Sequence, residues 1–182
     1  MGATGPRPDS FSSRVSDPGR FLVLHETAEE ILDELTERYI VDRRESKEPA
    51  GPTPGAEVVR TVRLMPRSPA AGPLSIAFTD PGIVLRIGRW FFEPLPGCGC
   101  DDCAEDPAEL VDDLRVRVIA HVEGGLWERV RRGVTGSWLD IRLIGPGVRA
   151  TRQAPIDAAE ARAARREGFA AAVQWAPWSR RP

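Results

Sequence analysis

The first half of the chain changes from helical to alternating hydrophobic spacing. Apolar residues recur every three or four positions from Phe21 to Tyr39, and Asp17-Pro18 supplies an N-cap and a first-turn proline. This pattern predicts a helix over residues 18–39. The next segment, residues 42–57, is charged and interrupted by prolines, so we expect an exposed loop there.

Alternating apolar positions then predict three strands, over residues 57–65, 74–78 and 83–87. The last two are expected to form a hairpin, because Asp80-Pro81-Gly82 has the composition of a tight turn. Beyond this hairpin the alternation changes phase. A bulge or two-residue turn at Gly88-Arg89 would return Trp90 and Phe92 to the core, and a sheet covered on both faces is the competing interpretation.

A second long helix is predicted to begin at Asp106-Pro107, where Glu109 has capping-box spacing. Its apolar stripe starts at Leu110 and is interrupted at Gly124-Gly125, each glycine costing about 1 kcal/mol relative to alanine in a helix interior. The stripe is expected to include Leu126 if the helix continues. Three arginines would then lie at the end of this helix: Arg129, Arg131 and Arg132.

The remaining pattern predicts a strand over residues 138–144, a pairing segment at 148–152 and a short helix at about 157–167. Because strands come in hairpins rather than alternating with helices, we expect an α+β fold. The prediction is a single, mainly antiparallel sheet with two long helices packed on it and a short C-terminal helix. Residues 1–16 are expected to be a disordered lead and residues 17–182 a single domain.

Composition narrows the function classes. Hydrophobic residues make up 41% and charged residues 29% of the 182 positions, which are ordinary globular values. A net charge of −2 without a long basic block argues against nucleic-acid binding. The absence of a long apolar run or an export signal predicts no membrane insertion and a cytoplasmic location. We therefore expect neither a nucleic-acid nor a membrane partner, and composition leaves the oligomeric state open.

Candidate chemistry is concentrated at Cys98, Cys100 and Cys103, which are all the cysteines of the chain. Thiolates two and three residues apart around a glycine can converge on one tetrahedral ion, and zinc is the expected occupant in a reducing compartment. A helix start nearby favours the thiolate form. His25 is the predicted fourth ligand. The other histidine, His121, would lie about 21 Å from Pro107 along the axis of the second helix, and therefore far from the cysteines. Four carboxylates are alternative oxygen donors: Asp101, Asp102, Glu105 and Asp106.

Two other interpretations of the cysteines stay open. Cys100 and Cys103 form a C-x-x-C ahead of a helix, as in dithiol oxidoreductases, although a parallel βαβ context is missing and two intervening aspartates would raise the thiol pKa. The third interpretation is three reduced thiols without a ligand. His25 and His121 both fall on apolar helix faces, where a packed core histidine is the ordinary outcome.

The stretch "GRWFFEPLPGCGCDDCAEDPAELV", the opening helix with His25 and the closing "WAPWSRR" resemble a bacterial family defined by a domain of unknown function. The features in common are a Gly-Arg-Trp strand, a Cys-Gly-Cys-Asp-x-Cys turn and a Trp-Ala-Pro-Trp end, and the resemblance covers about residues 14–181. It implies a domain boundary and no activity.

Two functional hypotheses follow from these residues. The first is a non-enzymatic cytoplasmic domain whose cysteine loop is stabilised by zinc and mediates a protein interaction. The second is a small metal- or thiol-dependent enzyme that uses Cys98, Cys100 and Cys103, since catalytic zinc keeps one coordination position open for water.

Overall fold

The computed structural model describes residues 16–51 and 55–182, and these form two antiparallel sheets and three α-helices. The first sheet is a five-stranded meander, and the second has the strand order β8-β7-β6-β9. The helices are α1 (Val23–Arg38), α2 (Pro107–Val122) and α3 (Ala158–Ala164). The strands are β1 (Val41–Pro49), β2 (Val58–Pro66), β3 (Leu74–Phe78), β4 (Ile83–Ile87), β5 (Phe91–Leu95), β6 (Leu126–Gly133), β7 (Gly136–Gly145), β8 (Val148–Ile156) and β9 (Val173–Gln174).

The prediction of an antiparallel α+β fold is confirmed, whereas the prediction of a single sheet carrying both long helices is wrong. α1 packs against the first sheet and against α2, while α2 packs against β7 and β8 of the second sheet. One continuous apolar core contains residues of both sheets and of all three helices. The sequence pattern shows which face of each strand is apolar, but it does not say which strands pair, and two sheets sharing one core have the same pattern as one.

The predicted first helix is present as a 3₁₀ turn, Pro18–Leu22, that leads directly into α1. Its stripe is buried: Phe21, Leu24 and Leu32 are fully inaccessible to solvent. Full burial of each such side chain contributes about 1.5–3 kcal/mol, so this stripe fixes α1 on the core.

The predicted loop at residues 42–57 is wrong for its first half, residues 42–49, because β1 occupies Val41–Pro49 and pairs with β2 over nine residues. β1 is an edge strand with one buried residue, Val41, so it lacks the apolar alternation that marks a half-buried strand. Charged edges also discourage pairing with other chains. Cross-strand ion pairs hold it in place, among them Arg60 with Glu45 at 2.8 Å and Arg63 with Glu48 at 2.8 Å.

The phase change after β4 comes from a three-residue turn, residues 88–90. Ile87 and Phe91 are directly opposite each other across this turn, and opposite residues share a face of the sheet. Phe91 therefore joins the core, at 1% exposure, and the prediction that Phe92 does so is wrong. Phe92 packs in a small second cluster on the other face of the sheet, whereas Trp90 packs partly buried against the core.

The second long helix begins as predicted, with the Asp106 carboxylate accepting from the Ala108 N–H at 2.9 Å. It ends at Val122, and Gly124 takes a left-handed conformation with φ of 85°. The extension to Leu126 is wrong, because Leu126 begins β6. The three arginines placed at a helix end lie on β6 as well.

The C-terminal part follows the prediction more closely. β7 and β8 pair through the whole of β8, and β7 contains the predicted strand at 138–144. α3 is capped by Asp157, which accepts from Ala159 N–H at 2.7 Å and Glu160 N–H at 3.2 Å, and a π-type turn, Arg165–Phe169, follows it.

The predicted lead at residues 1–16 lies outside the described residues except for Ser16, and the single domain at 17–182 stays a prediction. Within the described ranges, every helix is too short or too polar to cross a bilayer.

A buried carboxylate joins the two sheets. Glu128 on β6 is fully inaccessible and accepts hydrogen bonds from Arg89 N–H at 3.0 Å, Trp90 N–H at 2.8 Å and the Trp175 indole N–H at 2.8 Å. Burial raises the pKa of Glu128, and these N–H donors oppose that effect. The β4–β5 turn, β6 and the C-terminal segment are thereby tied to one side chain.

Candidate metal centre

The cysteine loop, residues 96–106, connects β5 to α2. Gly99 has φ of 75°, a left-handed conformation that glycine adopts without strain. A short 3₁₀ turn, Asp101–Cys103, follows, and the chain enters α2 at its N-cap Asp106. This chain reversal between a strand end and a helix start is what brings the three cysteines together.

The three thiol sulfurs form a sulfur cluster, the Sγ atoms of Cys98, Cys100 and Cys103. The Cys98–Cys100 distance is 3.0 Å, the Cys100–Cys103 distance is 3.3 Å, and all three atoms lie within 4.8 Å of one another. Zinc bound tetrahedrally at about 2.3 Å from each sulfur would place the sulfurs about 3.8 Å apart. The Cys98–Cys100 and Cys100–Cys103 sulfur distances would each have to increase by less than about 1 Å. The loop can therefore bind one ion without refolding.

Glu105 holds the backbone of the loop from within. Its carboxylate accepts from the N–H groups of Gly97 at 2.9 Å, Cys98 at 3.0 Å and Gly99 at 3.2 Å. Burial disfavours the charged carboxylate, but the three N–H groups and the charge of Arg20 outweigh it, so the pKa of Glu105 lies below its usual range. The loop is therefore shaped by this chain's own residues.

The three thiols are not equivalent. Hydrogen bonds from Cys98 and Cys103, with help from the backbone N–H groups of Cys103 and Asp102, lower the pKa of Cys100. The contacts with Cys100 and Cys98 raise the pKa of Cys103 to about 12. Cys100 is buried at 6% exposure, while Cys98 and Cys103 are exposed. Negative charge is therefore better stabilised at the Cys100 sulfur than at the Cys103 sulfur.

Contacts from distant parts of the chain support the loop, and sequence reasoning did not find them. Ser16 donates its N–H and its hydroxyl to the Asp101 carboxylate, each at 3.1 Å. The Arg20 guanidinium lies 3.5 Å from the Cys100 carbonyl oxygen. A Cβ on Gly99 would lie 3.3 Å from Cγ of Pro81, so the loop also packs on the β3–β4 turn. Residues 80 positions apart leave no spacing signal in a single sequence.

The structure does not bring His25 into the sulfur cluster. Its Nε2 lies 2.7 Å from the Gly82 carbonyl oxygen and 3.0 Å from that of Thr79, so this nitrogen carries the proton and donates to the β3–β4 turn. Among the described residues, the group of close ligand atoms consists of the three cysteines. His25 thus acts on the turn that supports the loop, and a role as ligand stays a prediction.

The other candidate donors have different partners. His121 is fully buried in the core, as expected, with Nε2 3.0 Å from the Gly72 carbonyl oxygen. Glu105 and Asp101 bind backbone N–H groups, and Asp106 caps α2. Asp102 is exposed.

These observations define the chain as an α+β protein with a candidate three-thiolate metal centre on a surface loop. The chain belongs to the family of unknown function DUF6226, whose profile matches residues 2–182. No curated protein and no solved structure matches it. The expected membership in a family of unknown function is therefore confirmed, and the chemistry has to be argued from the site.

Two of the three motif segments are explained by the fold. The Gly-Arg-Trp segment supplies the Arg89 and Trp90 N–H groups that bind Glu128, and the Trp-Ala-Pro-Trp segment supplies the Trp175 indole. A Cβ on Gly88 would lie 2.4 Å from Cδ2 of Leu126, so only glycine fits the approach of this turn to β6. The cysteine turn takes no part in this assembly.

Proposed function

We propose that the protein is a non-enzymatic metal-binding domain whose cysteine loop is fixed by zinc and presents a surface to a protein partner. The observation that carries the proposal is the sulfur cluster: three thiol sulfurs within 4.8 Å on one loop. Three thiols from six consecutive residues form a soft donor set, which selects zinc among the common divalent ions of a reducing compartment.

The preformed backbone supports the same proposal. Glu105 and Ser16 hold the loop through backbone and side-chain hydrogen bonds that do not use the sulfurs. The thiols are left for another role, and ligand binding loses less conformational entropy when the loop is already ordered.

Exposure favours contact with a partner over catalysis in a cleft. Cys98 and Cys103 are exposed, and five surface cavities formed by the described residues are lined by other side chains. Desolvated clefts strengthen catalytic electrostatics, and the cysteine loop stands outside these cavities.

The test is the metal content of protein purified natively under reducing conditions. We expect one zinc per chain and thiols that react with a thiol reagent only after chelation. Cys100→Ser should lose the zinc, and the metal-dependent part of the thermal stability with it. Asp112→Asn, an exposed acidic position on α2, is the matched control and should keep both. Substoichiometric zinc together with three freely titrating thiols in the native protein would refute the metal site.

The second candidate is a metal- or thiol-dependent enzyme using the same cysteines, favoured by the lowered pKa of Cys100. The chelated, reduced protein separates the thiol enzyme from the proposed zinc-fixed domain. A thiol enzyme keeps a reactive Cys100 and full stability without metal, whereas a zinc-fixed loop loses stability on chelation.

A further inference from the structure

We infer that the fourth coordination position of this metal centre is completed from outside the chain by a neutral imidazole nitrogen, such as a histidine of the partner. The inference rests on the proposed zinc site and adds the chemistry by which a partner would be recognised.

Within the described residues, the chain brings no fourth thiol and no imidazole to its sulfur cluster. It has three cysteines, all of them in the sulfur cluster, and two histidines. The Nε2 of His25 is engaged by the carbonyl oxygens of Thr79 and Gly82, and neither of its ring nitrogens belongs to the cluster. His121 is fully buried in the core. Residues 1–15 and 52–54, which the structure does not describe, contain neither cysteine nor histidine.

The loop carboxylates are largely committed elsewhere. Glu105 accepts hydrogen bonds from three backbone N–H groups of the loop, and turning its carboxylate toward an ion would disturb them. Asp101 binds Ser16 and Asp106 caps α2. Asp102 is exposed and is the carboxylate for which the experiment has to account.

Charge decides between an anionic and a neutral external donor. Three thiolates around a divalent ion already give a net charge of −1, and a fourth thiolate would raise it to −2. The surrounding loop is acidic, with Asp101, Asp102 and Glu105, and the Arg20 guanidinium is the cation found beside it. The loop carboxylates would repel a further negative charge at the metal, even in the high-dielectric environment of a protein surface. A neutral nitrogen adds no charge, and three cysteines with one histidine are an established ligand set of structural zinc sites.

Accessibility allows the donor to come from another molecule. Two of the three cysteines are exposed residues, so an ion held by the sulfur cluster would lie near the surface. A partner histidine could bind it without any opening of the fold.

The experiment uses the reduced full-length protein loaded with one equivalent of Co²⁺, whose visible spectrum reports its ligands. Sulfur-to-cobalt charge-transfer bands count the thiolates, and the d–d bands report the fourth ligand. Titration with imidazole should shift the d–d bands in a saturable way and leave the charge-transfer bands in place. Asp102→Asn should behave as the wild type before and during the titration, and Cys100→Ser should lose the charge-transfer bands.

Two sources of imidazole are distinguished by a second titration with a histidine-containing peptide and its alanine counterpart. A small-molecule ligand predicts that the peptide binds no more tightly than free imidazole. A protein partner with contacts around the loop predicts tighter binding by a suitable histidine peptide, and either result supports the inference.

Each negative result has a separate meaning. Failure to bind Co²⁺ at all removes the proposed metal site and this inference with it. Co²⁺ bound with three-thiolate bands but d–d bands insensitive to imidazole overturns the inference alone. So does a change of the d–d bands by Asp102→Asn, because the chain would then close its own site.

Discussion

Replacement of Glu128 is the most direct test of how the two sheets are joined. Glu128→Ala removes the acceptor of three N–H groups, those of Arg89, Trp90 and the Trp175 indole. A buried donor without a partner costs about 1–3 kcal/mol, which gives about 3–9 kcal/mol for three donors. Water that enters the space left by the side chain can accept some of these hydrogen bonds and so recovers part of the lost stability. We therefore expect a loss of about 3–5 kcal/mol in the free energy of unfolding.

Urea unfolding, followed by circular dichroism, measures that loss directly. The melting temperature should fall by about 2–4 °C for each kcal/mol in a chain of this size. Glu123→Ala, at an exposed carboxylate just before β6, is the matched control and should stay within about 0.5 kcal/mol of the wild type.

A double-mutant cycle refines the argument. Trp175→Phe removes one donor and keeps an aromatic ring, and we expect it to cost about 1 kcal/mol. In Glu128→Ala the indole has already lost its acceptor, so the two effects should add to less than their sum. A loss below about 1 kcal/mol for Glu128→Ala, or strict additivity with Trp175→Phe, would refute the role of Glu128 as the acceptor that joins the sheets.

Burial lowers the pKa of His121 from 6.5 to about 4. The unfolded chain therefore takes up a proton in this interval while the folded chain does not, and stability falls by up to about 3 kcal/mol as the pH drops from 6.5 to 4. Denaturant titrations of wild type and His121→Phe at several pH values should show their difference changing across that window, and a constant difference contradicts the assignment. Gly88→Ala and Gly168→Ala both place a side chain at positive φ, but only at Gly88 would the new Cβ overlap other atoms, so thermal melts should show Gly88→Ala as the more damaging by about 1–3 kcal/mol. Asp157→Ala removes the cap of α3 and should cost about 1 kcal/mol in the same melts, with an unchanged value arguing that the cap is not formed in solution.

The parts of the fold that the sequence predicted are those with strong local signals. α1 and α2 combine helical spacing with Asp-Pro starts, and the hairpin from Leu74 to Ile87 alternates cleanly around a turn. Missed elements have weak local signals. β1 is almost entirely polar and is held by pairing with β2, while β6 mixes arginines with an inward-facing Glu128. These two strands form because of the strands they pair with, and the sequence of a strand does not identify its pairing partner.

The same division applies to the site. The sulfur cluster was predictable because its three members lie within six residues, so local geometry alone keeps them close. The helical repeat places His25 on an apolar face of α1, but it does not specify what packs over that face. The structure places the Gly82 carbonyl oxygen there. Contacts from Ser16 and Arg20 depend on the tertiary fold, which no spacing rule encodes.

The packing of the fold accounts for two of the three motif segments and leaves the cysteine turn as the candidate functional segment. Gly88 and Trp90 of the Gly-Arg-Trp segment and Trp175 of the Trp-Ala-Pro-Trp segment meet at Glu128. The indole of Trp178 donates instead to the Gly72 carbonyl oxygen in the core. The cysteine turn is different, because Glu105 stabilises its backbone through three N–H groups and uses none of the thiols. Buried cysteines can serve as small apolar residues, yet two of these three are exposed. Three thiol sulfurs within 4.8 Å of one another, two of them on exposed residues, are therefore the arrangement on which the proposed metal site rests.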